Sequence, residues 1–171
     1  MSYGIKYRIP IYSPGIVGRD DGILYNLLIL ERDYTGEETN LKGSNSACII
    51  RYTDNDETKY SPIQASEMVI NFINEGDFNL EEIITEDDLK YMVQLAIVDQ
   101  DANTLTYVWH GFLVTDDCFE VMQDYPVQVT LKATDSLGLL KTQVPYSIDV
   151  YEYKTVLQII NDCLLQTGLE I

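Results

Sequence analysis

Apolar residues recur at every second position in short runs along most of this chain, and that period of two most constrains its fold. In "YGIKYRIPIY", Tyr3, Ile5, Tyr7, Ile9 and Ile11 share one face with Lys6 and Arg8 opposite, the pattern of a half-exposed strand. "SPGIVGRDDG" follows as a turn-rich loop. "ILYNLLILERDYTG" is apolar on both faces up to Leu30, which predicts a central strand covered on each side from Leu24 to Leu30. "GSNSACIIRYTDNDE" reads as a short strand ending in an acidic turn, and "SEMVINFINEG" as a strand with Met68, Ile70 and Phe72 on one side and a polar opposite face. "YMVQLAIV" and "TYVWHGFLV", separated by "DQDANTL", read as a hairpin. "YPVQVTLKATD" places Val127, Val129, Leu131 and Ala133 on one face.

Two segments break this period. "NLEEIITEDDLK" has Leu80, Ile83 and Ile84 at helical spacing among acids, which predicts a short helix over Leu80 to Asp88. "TVLQIINDCLLQTG" carries Val156, Ile159, Ile160, Cys163 and Leu164 on one helical stripe. Thr155 and Gln158 form a capping box at its start and Gly168 supplies the stop, so a helix is expected from Val156 to Thr167. About seven strands at short intervals with one late helix predict a mainly β fold, a barrel or sandwich, with one short internal helix and a C-terminal helix. The expected division is a β domain over residues 1–145 and a linker with the C-terminal helix over 146–171, the boundary falling in "KTQVPYSIDVYEY".

The net charge is −17, from 28 acidic and 11 basic residues. A field of that sign repels phosphate backbones and anionic membrane surfaces. It leaves three explanations: solubility, calcium-rich surroundings, or a surface that must let nucleic acid pass without sticking. No apolar run approaches the ~20 residues needed to span a membrane. Neither a signal core nor a glycosylation acceptor appears, and Cys48, Cys118 and Cys163 are odd in number and irregularly spaced. Free thiols and a cytoplasmic site of assembly are expected.

Chemistry-bearing patterns are incomplete. From Asp99 the chain begins like a calcium loop, but Thr104 stands where glycine is needed and His110 where a bidentate acid is needed. His110 is the only histidine, too little for a zinc site; a Cys–His nucleophile pair would take Cys118 as the nearest cysteine in sequence, and no local pattern supports it. Adjacent carboxylates are frequent, at Asp20–Asp21, Glu37–Glu38, Glu81–Glu82, Asp87–Asp88 and Asp116–Asp117, in segments that read as solvated turns. No P-loop, GxGxxG, HExxH or GxSxG is present. The expectation is a protein without catalysis, cofactor or metal.

The order of segments carries a resemblance. "ILERDYTG" is followed by "ACIIRYTDND", "SEMVINFINEGDFNLEEIITEDDLKYMVQL", "WHGFLVTDD", "YPVQVTLKATDSLGLLK" and "LQIINDCLLQTGLEI". This order resembles the N-terminal part of tail hub proteins of tailed bacteriophages and prophages of Bacteroidetes-type hosts. Those proteins are similar in a strand ending "DYTG", a "DD" before a long strand, a W-x-G-F/W strand and an "ATDGLG.LK" corner. The corner here has Ser136 in place of the expected glycine. The hub proteins are longer, and the last helix here corresponds to the start of their next region.

The resemblance implies a tail-tube-like β-barrel in a virion tail, assembled in the host cytoplasm. It implies a trimeric or hexameric ring that meets tail tube, tip or fibre proteins and passes DNA transiently. At the corner, Thr134 and Asp135 would turn the strand out of the sheet, and Leu137, Leu139 and Leu140 would cover the open edge. Candidate lumen acids are Asp54, Asp56, Glu57, Asp87, Asp88, Asp116 and Asp117. Two other readings stand beside this one: a monomeric β-sandwich binding carbohydrate through Trp109 and exposed tyrosines, and an acidic hydrolase using a carboxylate pair. An exposed Trp109 beside polar groups favours the binding module; a buried one favours the tail subunit.

Overall fold

The alternating runs become the strands of one sheet in the computed structural model, which describes residues 2–14, 22–52, 65–99, 104–135, 137 and 155–165. The strands are β1 (Tyr3–Ser13), β2 (Ile23–Arg32), β3 (Thr39–Asn40), β4 (Lys42–Tyr52), β5 (Ser66–Asn74), β6 (Tyr91–Asp99), β7 (Thr104–Leu113), β8 (Phe119–Glu120) and β9 (Val127–Thr134). They lie in the order β3-β1-β2-β6-β7-β9-β5-β4, with β8 beside β9. Among the described residues only the β1–β3 pair is parallel; the others are antiparallel.

The two ends of this path, β3 and β4, are separated in the chain by Leu41 alone, whose amide donates to the Arg8 carbonyl at 2.8 Å. The sheet has therefore rolled until β4 stands near β1. Gly43 lies against β1: a side chain there would come within 3.2 Å of Ile9 Cγ2. No ladder joins β1 to β4 among the described residues, so the expected mainly β fold takes the form of a rolled sheet and not a closed barrel.

The inside of the roll is the main core, built from Tyr7, Ile9, Leu27, Ile29, Met68, Ile70, Phe72, Tyr91, Val93, Trp109, Val129 and Leu131 among others. A second cluster on the outer face joins Leu28, Leu30, Met92 and Phe112, with Tyr3, Ile5 and Leu89 packed against it. The two clusters explain why β2 is apolar on both faces.

They also correct the reading of β1. Ile5 pairs with Leu30 and Tyr7 with Ile29, so Lys6 is the extra residue of a β-bulge. A slip of one residue exchanges the two faces. Tyr3 and Ile5 therefore belong to the outer cluster, and only Tyr7, Ile9 and Ile11 face the core.

The polar face of β5 is covered as well. Asn71 donates to the Ser46 carbonyl and accepts from Thr130 Oγ1, both at 2.9 Å, and such pairing is the condition on which a buried amide is tolerated. The helix expected over Leu80 to Asp88 shortens to a 3-10 turn over Leu80–Glu82, capped by Asn79 Oδ1 accepting from the Glu81 amide. It serves to lower Ile83 fully into the core. Helix α1 (Val156–Leu165) carries the expected capping box: the Gln158 amide donates to Thr155 Oγ1, and the Thr155 amide donates to Gln158 Oε1. The expected linker and Gly168 lie outside the described residues.

Candidate functional site

β9 leaves the sheet at the corner singled out in the sequence. Thr134 is its last residue and still pairs with Phe112 of β7, while Asp135 turns away buried. Its carboxylate is held by donors and not by a cation. Oδ2 accepts from the Ser66 amide at 2.6 Å and from Ser66 Oγ at 2.8 Å, and Oδ1 accepts from the Leu137 amide at 3.1 Å. The Asp135 amide donates back to the Ser66 carbonyl. Trp109, also buried, completes the network by donating from Nε1 to Ser66 Oγ at 2.9 Å. Charged acceptors bonded to backbone amides form strong bonds, and this one fixes the direction in which the chain departs. Ser66 is the member that sequence reading missed; it lies 69 residues from Asp135, and no local pattern announces it.

The corner leaves a mark on β7. Only Phe112 and Leu113 pair with β9, at Thr134 and Ala133. Among the described residues no strand pairs with Thr104 to Val108 on the β9 side, and all five are exposed. Trp109, Gly111 and Phe112, the W-x-G-F pattern, all serve this junction. Trp109 points in to Ser66, Phe112 packs outward with Leu30, and Gly111 lies so close to the Thr134 carbonyl that a side chain has no room.

The other sequence candidates are dispersed. Leu137 is half-buried, while Leu139 and Leu140 lie outside the described residues, as do Asp54, Asp56 and Glu57. Asp87 is bonded to Arg32 and also caps the Leu89 amide. Asp117 pairs with Lys132 at 3.1 Å. Asp88 and Asp116 are exposed and together line a depression of about 670 Å3 beside Ile84, Phe112 and Val114. The Cys118–His110 dyad is not assembled: Cys118 Sγ contacts the Val114 carbonyl, and the buried Nε2 of His110 has no hydrogen-bond partner among the described residues. Burial lowers the His110 pKa. Burial also pushes the Cys48 thiol up to about 11, which keeps it an unreactive apolar group. Among the described residues no group of three His, Cys, Asp or Glu could hold a metal ion, and no helix is long and apolar enough to cross a membrane.

The strongest electrostatic cluster sits at the β1 bulge. Lys6 Nζ lies 2.9 Å from Glu31 and 3.4 Å from Glu82, and 5.7 Å from the ring centres of Tyr7, Tyr34 and Tyr91. Burial works against the ammonium, but the bond to Glu31 and the charges around it overcome that and raise the Lys6 pKa. Glu31 is likewise opposed by burial and held below the ordinary carboxylate value by Lys6. The cage is filled by the protein's own cation, which makes it a clamp on the bulge and not a vacancy for a ligand.

A second surface escaped sequence reading. The segments 79–88 and 114–125 lie side by side, with Thr115 Oγ1 donating to the Thr85 carbonyl at 3.0 Å. Between them Ile84, Val121, Met122 and Tyr125 are exposed. Ile84 looked like a partner of Ile83 in a helix, and the shorter turn puts it outside instead.

No family model matches the chain, no curated protein matches it in sequence, and no solved structure matches it.

Proposed function

We propose that the chain is a structural subunit of a bacteriophage tail hub or tail tip, a trimeric or hexameric ring that continues the tail tube and lets DNA pass. The observation that carries this reading is the stretch of β7 from Thr104 to Val108, which among the described residues is paired with β6 alone and leaves its other edge bare. A bare strand edge is a template for another strand, and a ring of identical copies satisfies every such edge at once. β4, one end of the sheet path, offers a second edge for a head-to-tail contact. The segment order supports the same reading through its resemblance to tail hub proteins.

The burial of Trp109 against Ser66 argues against a carbohydrate platform, because the indole face is spent inside the fold. Asp87 and Asp117, two of the acids expected in a lumen, are ion-paired. DNA passage therefore rests on the overall charge of −17, which repels phosphate over roughly 8–10 Å at physiological salt.

Native mass spectrometry and negative-stain electron microscopy of the purified chain test the ring. A closed oligomer is expected, and Thr106→Pro with Val108→Lys is expected to give a folded monomer with unchanged circular dichroism. A wild-type monomer at high concentration whose Thr104–Val108 amides are protected from exchange would sink the reading.

A further inference from the structure

The apolar surface on segments 79–88 and 114–125 borders the corner, Thr134 lining one of its depressions, and it does not depend on whether the chain forms a ring. Met122 is 103% exposed, Ile84 57% and Tyr125 56%. Two depressions meet at Ile84: one lined by Leu80, Val121, Met122 and Tyr125, the other by Phe112, Val114 and Asp116. Contiguous apolar surface of this kind on a folded domain marks an interaction site.

The charges around it say what covers it. Glu81 and Glu86, with Asp88 and Asp116, line the same two depressions, and none has a cationic partner among the described residues. The protein cannot provide those cations from its own described surface. Lys6, Arg8, Arg32, Lys42, Lys90 and Lys132 are all engaged in ion pairs, which leaves only Arg51. A second copy docked through this face would set carboxylate against carboxylate, a juxtaposition that costs affinity. An anionic membrane is repelled by the same rim.

We infer that this face is the docking site for a different protein, one that inserts apolar side chains over Ile84 and Met122 and rings them with lysines or arginines. The apolar centre supplies the affinity, and the acidic rim sets the orientation and the rate of encounter.

The test titrates the full isotope-labelled chain with three helical peptides of equal length. The first carries an apolar stripe flanked by lysines, the second the same stripe flanked by glutamates, and the third the same lysines with the stripe changed to serine. The first is expected to bind at least about tenfold more tightly than either other, with resonance shifts confined to 79–88 and 114–125. Met122→Lys, at a fully exposed position, is expected to weaken it about tenfold while leaving the rest of the spectrum in place. Glu81→Lys, Glu86→Lys, Asp88→Lys and Asp116→Lys together are expected to switch the preference to the second peptide. Equal binding of the first and third peptides would reduce the surface to bulk charge and overturn the inference, as would no binding by any of the three. Self-association abolished by Met122→Lys, or vesicle binding through this face, would assign it to another occupant and overturn the inference equally.

Discussion

Gly111 has little freedom to change. A β-carbon there would stand 2.2 Å from the Thr134 carbonyl oxygen and 2.6 Å from the Trp109 ring. One obstacle is backbone, so relief requires prising β7 from β9 where only two residue pairs join them. Gly111→Ala is expected to cost about 3 kcal/mol, with the urea midpoint as the readout. Asp135→Ala leaves the Ser66 and Leu137 amides without their acceptor, and a loss of about 2–3 kcal/mol is expected by the same measurement. The Lys6–Glu31 pair has a pH signature. Because the folded-state pKa of Glu31 is depressed, its contribution is complete above the ordinary glutamate value of about 4.5 and is lost as pH falls through the folded value. Glu31→Gln should lower stability at pH 7 and flatten its decline below about pH 4.5, as followed by denaturant unfolding across that window. An unchanged acid limb would show that the pair does not govern it.

At the scale of elements, β2 and β6 are paired on both sides along nearly their whole length, whereas among the described residues the first half of β7 is paired on one side only. In the isolated subunit, amide exchange should be slowest in Leu27 to Ile29 and Val93 to Leu95 and faster by orders of magnitude at Thr104 to Val108. In an oligomer that uses the β7 edge, the second group should slow while the first stays put. The strands themselves were legible because burial on one face imposes a period of two, and β2 betrayed its central place by being apolar on both faces. The capping box at Thr155 and Gln158 was legible because it is local. What the sequence concealed is what distant segments decide. The bulge at Lys6 depends on its bond to Glu31, the polar face of β5 is buried because Ser46 and Thr130 receive Asn71, and β8 is two residues that acquire strand form only beside β9. The corner at Asp135 could be read from its turn chemistry, but its anchor Ser66 could not. The surface at Ile84 and Met122 was hidden by a helical spacing that the fold uses for a single turn.

For the molecule as a whole, −17 charges on 171 residues make self-repulsion a standing load on the folded state. Salt relieves it by shortening its range, while the exposed ion pairs that salt also weakens contribute little each. Thermal melts should shift upward by a few degrees between 20 and 200 mM sodium chloride, and a downward shift would mean that the pairs outweigh the repulsion. The seam between β1 and β4 has a mechanical meaning. A fully bonded cylinder has its girth set by strand number and stagger, and neither can change without breaking every rung. This wall is slit along one side and tacked at the slit by the Leu41 amide. Its girth is therefore set by the side chains packed inside the roll and not by rungs across the slit, so the wall can yield there with the strand ladders left whole.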